Sequence, residues 1–290
     1  MEKIKVDFTP VQQTLFSSLH AKALDSRAKR PVLCDRSAGA VADRLSYDYE
    51  RLVLRTDDRI ATVSRARQLD RWTAEFLARH PDAVVAHLGC GVDRRVDRVD
   101  PAPGVDWYDI DLPEVIELCA RLYHERPGHR WLAASVTEPR WLDELPSARP
   151  VLVVAEALTM FLPEDDVRTL FERVTGKHGT GQLIFDAYNR LALRTMPRHP
   201  TIQALGVTLN WGVDDPRELE RWVPGLEFDR EWYLVGSRHI FKMPPTSILI
   251  SGFMFLFPRL RRISRLIRMN WGRSGVVPDR LGVRRDTPVE

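Results

Sequence analysis

Val84-Val85-Ala86-His87-Leu88-Gly89-Cys90-Gly91, and beyond it Val105-Asp106-Trp107-Tyr108-Asp109-Ile110-Asp111, decide the fold. The first run is a short apolar strand between Pro81 and Gly89 that breaks into a glycine bend. The second is a strand that closes on acids. A strand, a glycine turn and an acid ending the next strand form one nucleotide-binding half of a doubly wound sheet. The glycines let backbone approach a ligand that a side chain would push away. Asp111 lies 20 residues after Gly91, the usual offset for an acid that accepts from ribose hydroxyls.

Two ligands fit this pattern, a dinucleotide and S-adenosylmethionine. A dinucleotide site wants a third glycine three positions after the second, for close helix packing. That position is Arg94. S-adenosylmethionine has no pyrophosphate and does without the contact, so the pattern leans toward the methyl donor. Asp111 has a second reading. It precedes Leu112-Pro113 and a helical stretch, where an aspartate caps as readily as it binds ribose. Asp109 is the ligand if capping wins.

The rest of the chain is consistent with a doubly wound sheet. The 290 residues are 44% hydrophobic, enough for a packed core, and the net charge of +3 does not mark a nucleic-acid surface. Cys34, Cys90 and Cys119 are scattered and show no metal-ligand spacing; a reducing cytoplasm and no metal are the expectation. The N-terminus lacks the apolar run of a signal peptide. Helices are expected over Phe8 to Leu24 and Thr62 to His80, and strands at Arg130 to Ser135, Val151 to Ala155 and Leu183 to Ala187. Glu156 follows the most apolar of these strands. Ligand contact and a structural hydrogen bond account for it equally well. By pattern alone Arg65 is a solvated arginine. Arg190 to Gly212 has weak periodicity and would overhang the crevice as a lid. Ser247 to Met269 mixes an apolar run with arginines. Pro258 splits it, so a buried helix followed by a strand over Leu266 to Trp271 is favoured over membrane association.

Several stretches, in order along most of the chain, give the chain a resemblance. They are Thr14-Leu-Phe-Ser-Ser-Leu-His-Ala-Lys-Ala-Leu-Asp25, Arg65-Ala-Arg-Gln-Leu-Asp70, His87-Leu-Gly-Cys-Gly-Val-Asp93, Trp107-Tyr-Asp-Ile-Asp-Leu-Pro113, Ala155-Glu-Ala-Leu-Thr-Met-Phe-Leu-Pro163 and Trp211-Gly-Val. The chain resembles the leucine carboxyl methyltransferase superfamily, in its bacterial tetracenomycin-type polyketide O-methyltransferase branch. The resemblance implies an α/β fold, the Rossmann-like class I methyltransferase with a seven-stranded, mostly parallel sheet. One domain would comprise a helical N-terminal cover (1–60), a donor-binding core (62–189), a lid and substrate region (190–225) and C-terminal strands with the apolar-basic segment (226–290).

The resemblance also assigns roles. S-adenosyl-L-methionine would be the cosubstrate and S-adenosyl-L-homocysteine the product. Arg65 would grip the methionine carboxylate, with Lys22 in reach of the same group. Gly89 and Gly91 would pass under the donor, Asp111 would hold ribose, Ser135 and Val136 would flank adenine, and Glu156 would bond the donor's amino group or the backbone beside its ribose. Two departures stand out. Ser135 replaces a frequent aspartate, and Phe161 stands where the eukaryotic enzyme has tyrosine. The acceptor would then be a small aromatic or polyketide-like metabolite rather than a protein terminus, methylated on a carboxylate or a phenolic oxygen. A carboxylate is ionised at neutral pH; a phenol, with pKa ~10, needs help. His199, Tyr188 and His20 are the candidate helpers. The partner is a small molecule, not nucleic acid, and a homodimer is compatible. Two other readings stay open: an NAD(P)-dependent oxidoreductase, and a non-catalytic binder that docks a partner or membrane through 247–269.

Overall fold

A computed structural model describes residues 3–272. Seven strands form one sheet: β1 (Val84–Leu88), β2 (Asp106–Asp111), β3 (His129–Ala133), β4 (Val151–Ala155), β5 (Gly181–Tyr188), β6 (Leu226–Tyr233) and β7 (Ser264–Trp271). The order is β3-β2-β1-β4-β5-β7-β6, with β7 antiparallel to both its neighbours. The first five strands run parallel, and the order reverses between β1 and β4. A ligand crevice opens at such a switch point, beyond the carboxyl ends of the strands.

The helices are α1 (Pro10–Ser26), α2 (Ala38–Arg44), α3 (Thr56–Arg79), α4 (Arg95–Val99), α5 (Pro113–Leu122), α6 (Arg140–Asp143), α7 (Glu164–Lys177), α8 (Arg190–Thr195), α9 (Pro200–Leu205), α10 (Pro245–Leu256) and α11 (Pro258–Arg261). Strand alternation sorts the core into two layers. Val84, Ala86 and Leu88 face Val167, Leu170 and Phe171 of α7. Val85, Trp107, Val154 and Ile184 face Leu69, Trp72 and Phe76 of α3. A third cluster joins Phe16, Leu19 and Ala23 of α1 to Val41 of α2 and Leu118 of α5, closing the N-terminal cover over the crevice.

Three expectations need correction. Helix α3 begins at Thr56, six residues before the expected Thr62, because Asp57 and Asp58 suit the positive end of a helix. Only the first part of the supposed lid overhangs the crevice. Trp211, Val213, Leu219 and Val223 are buried in the main core. And α10 is not a buried helix: among its residues only Ser251 is buried. The part of the C-terminal segment expectation that falls after Gly272 lies outside the described residues.

Candidate active site

Gly89 and Gly91 leave β1 with φ of 59° and 55°, the left-handed region that costs glycine little. A Cβ on Gly89 would lie 3.1 Å from Leu158 Cδ1, and one on Gly91 3.3 Å from Leu15 Cβ. The bend is therefore a bare backbone floor. Asp111 settles its own two readings. Its Oδ2 accepts from the Gly91 N–H at 2.7 Å and its Oδ1 from the Leu112 N–H at 2.8 Å. It pins the bend from the neighbouring strand, while Leu112 takes the cap position of α5. Burial raises its pKa, opposed by those two N–H groups. Asp109 is no ligand. It is buried and accepts from His87 Nδ1 (2.9 Å), Trp107 Nε1 (2.8 Å) and His129 Nε2 (2.8 Å). Burial pushes its carboxyl up, but the bonds from His129 and His87 prevail and hold it well below the usual range.

A cavity of about 240 Å³ opens over this floor. Lys22, Gly89, Gly91, Asp111, Ser135, Val136 and Glu156 all line it. The structure thus brings together seven of the eight residues expected to bind a donor. The Ser135 hydroxyl shares a 2.8 Å bond with Thr137 Oγ1. Arg65, the eighth, lines a second cavity of about 160 Å³ together with Asp58, Tyr188, Met196, His199 and Ile202. Thr14, Ser18, Ala157 and Phe161 line both, so the two spaces share a wall.

Arg65 is not solvated. Its Nε lies 3.0 Å from Glu156 Oε1 and its Nη1 3.1 Å from Asp186 Oδ2. Among the described residues its Nη2 has no hydrogen-bond partner. Both carboxylates are placed by strand ends. Glu156 follows β4, and Asp186 of β5 accepts from the Ala157 N–H at 2.6 Å. Ala157 takes φ of 52°, a conformation costly for a residue with a Cβ.

Beneath lies an ionic network that the sequence did not single out. Arg95, with no exposed surface, lies 2.7 Å from Asp70 and 3.6 Å from Asp93 and pairs with Glu156. Its Nη1 donates to His87 Nε2 at 3.0 Å, which leaves Nδ1 of that ring to donate to Asp109. Lys22 is buried with its Nζ 3.1 Å from Asp93. Arg98 joins Asp35, Asp70 and Asp93. These partners come from six separate segments, so no local spacing marks them. The only cue is the charge-dense Asp93-Arg94-Arg95 after the bend.

Burial raises the pKa of Glu156, but Lys22, Arg95 and Arg65 outweigh it and hold the group at about 2. A carboxyl depressed in the folded state adds stability that is fully present above its ordinary 4.5 and is lost as pH falls toward the folded value. The urea midpoint should therefore fall between pH 4.5 and 2. Asp93 and Asp109 act in the same direction, whereas Asp111 and Asp186, raised by burial, act against it. A midpoint that stays level through this window would contradict the network.

Of the three candidate helpers, two reach the second cavity. Burial raises the Tyr188 phenol, with Arg65 opposing and Asp186 adding to the rise. The rise keeps the phenol protonated at neutral pH. His199 sits with Nε2 3.7 Å from Asp58 Oδ1, and its Nδ1 is shut from water without a partner among the described residues. Thr201 Oγ1 donates to Asp58 Oδ2 at 3.0 Å. Asp58 and Thr201 carry no sequence signal that marks them out. His20 is a correction. It lines neither cavity and stacks on Tyr49 at 4.9 Å, packing in the N-terminal cover. No group of three or more potential metal ligands occurs among the described residues.

The family model described as leucine carboxyl methyltransferase matches residues 7–175. The chain is 43% identical over 263 residues to the tetracenomycin polyketide synthesis O-methyltransferase TcmP of Streptomyces glaucescens, covering 91% of this chain and 97% of the relative. It is 33% identical over 256 residues to the S-adenosyl-L-methionine-dependent methyltransferase dpfgK of Gibberella zeae, covering 81% and 86%. A solved duf574 family protein from Streptomyces avermitilis shares the fold at TM-score 0.52 and 14% identity, over 89% of this chain and 97% of that one.

Proposed function

The chain belongs to the leucine carboxyl methyltransferase family, and on that premise we propose that it methylates an oxygen of a small aromatic, polyketide-like metabolite held in the second cavity. It is an S-adenosyl-L-methionine-dependent O-methyltransferase of the class I fold. Neither oxidoreductase chemistry nor a purely binding role is favoured beside that membership. When bound, the donor supplies an electrophilic methyl group on a sulfonium. The glycine floor and its polar rim fit such a ligand, with Asp111 at the ribose, Ser135 and Val136 beside adenine, and Lys22 and Glu156 at the amino-acid end. Arg65, held by two acids and lining the adjoining cavity, would reach the methionine carboxylate across the shared wall. The reading carries a cytoplasmic location, in keeping with three unpaired cysteines.

One observation supports the acceptor assignment above the others: the two cavities meet along Thr14, Ser18, Ala157 and Phe161. Alignment of donor and acceptor across that wall is the main service a protein can render a reactive sulfonium. Phe161 offers the acceptor an apolar edge. The test is turnover with a panel of aromatic acids and phenols, read as the mass gain of one methylene. Binding of S-adenosylhomocysteine by calorimetry separates a wrong acceptor from a wrong donor.

Arg65→Ala should weaken S-adenosylhomocysteine binding by about 2 kcal/mol, the loss of a charged hydrogen-bond partner. Arg65→Lys should recover part of it, since a point charge replaces a fork. An unchanged affinity in the alanine variant would remove Arg65 from the donor site.

A further inference from the structure

Helix α10 carries Leu249, Ile250, Phe253 and Leu256 on one side, each at least 57% exposed, and Phe257, 47% exposed, follows just past its end. Their spacing of three and four places them in a single stripe. Phe253 and Phe257 pack ring to ring at 4.9 Å, and Phe241, 72% exposed, sits on the neighbouring turn (Arg238–Lys242). The charge carried by this segment has one sign, although Asp57 of α3 accepts from Ser247 in the first turn of the helix. Arg238 and Lys242 stand before the helix and Arg259 after it, all exposed. Between Glu231 and Asp279 the sequence contains no Asp or Glu. Among the described residues no carboxylate pairs with any of these three cations.

We propose that this face docks on a lipid bilayer surface bearing anionic headgroups. The apolar stripe enters the acyl boundary while the cations at both helix ends meet the headgroups, as an amphipathic segment on a membrane does. No described helix is long and apolar enough to cross the bilayer, so the contact is peripheral. A second copy of the chain is a poorer occupant. Because both ends of the helix are basic, a two-fold pairing sets cation against cation, and the segment has no acid to relieve it. The helix adjoins the second cavity on the side away from the stripe. Phe255 packs on Gly236, in the turn whose Leu234 lines that cavity. If the acceptor is apolar, a point that rests on the function proposed above, it would arrive from the lipid beside its own pocket.

The full chain should be sedimented with vesicles of neutral phosphatidylcholine and with vesicles containing phosphatidylglycerol. About tenfold or more protein should pellet with the anionic vesicles, given three headgroup-facing cations, and high salt should release much of it. The triple variant Leu249→Ser, Phe253→Ser, Leu256→Ser should stay in the supernatant while its thermal unfolding remains cooperative. Should that variant fail to fold, Lys242→Glu with Arg259→Glu must show the same loss. Lack of binding to anionic vesicles, or binding that neither variant reduces, overturns the proposal. So does a dimer in vesicle-free sedimentation velocity that the triple variant dissociates, which would give the face to a second copy. None of these readouts depends on the acceptor, so failure here leaves the methyltransferase assignment standing.

Discussion

Arg95→Ala is expected to lower folding stability by about 3–5 kcal/mol, the range for removing one partner of a buried ion pair. The side chain is fully buried, and its guanidinium serves Asp70, Glu156 and His87 at once, with Asp93 at 3.6 Å. Alanine would leave the carboxylates short of a cation at a largely buried site beside the donor cavity, and would strand the accepting nitrogen of His87. Part of the damage should reach the glycine bend, since His87 precedes it by two residues and holds Asp109 on β2. Urea unfolding at neutral pH measures the loss. Because the network is shielded from solvent, added salt should change the deficit little. A loss below about 1 kcal/mol, the size of an exposed pair, would mean that the charges are not confined as described.

His199→Ala should cut kcat about 10²-fold on a phenolic acceptor, the lower end of what a positioned proton acceptor contributes. The imidazole faces Asp58 through Nε2, and Thr201 steadies that carboxylate. Nδ1, buried and without a partner among the described residues, would take the proton on turning toward the acceptor. A carboxylic acid acceptor, ionised at neutral pH, has no proton to give and should be methylated at nearly the parent rate. S-adenosylhomocysteine affinity should be unchanged, because His199 faces Asp58 and touches neither the glycine bend nor the acids that hold Arg65. Equal losses on both acceptor classes would assign the side chain to packing of the overhang rather than to proton transfer.

Much of the framework could be read from the chain because it rests on local patterns. Val84–Leu88 and Val151–Ala155 are apolar throughout, as strands covered on both faces must be. Pro113 and Pro163 mark helix starts by their missing N–H. The residues expected at the donor were legible for a related reason: six of them sit on the bend or at and just beyond strand ends, where topology alone places them. Arg65 was different. Nothing near it in sequence distinguishes it from a solvated arginine, and its partners Glu156 and Asp186 lie on two later strands. Resemblance supplied what pattern could not. Arg95, Asp70 and Asp93 escaped both, since the interaction exists only after α3, the bend and β4 have converged. Helix α10 failed in the other direction. Its hydrophobicity was read as burial, yet composition does not say which side of a surface an apolar residue lies on.

The wall common to both cavities bears on how such a protein could change its clientele. Thr14 and Ser18 come from α1, and Ala157 is locked in a left-handed turn that Asp186 fastens. Substitutions there would alter both cavities at once, and with them, on the proposed assignment, donor and acceptor binding together. Met196, Ile202 and Leu205 touch only the acceptor side and lie on the short overhanging helices and turn. Diversification among relatives, and directed evolution in the laboratory, should therefore run through those three positions first.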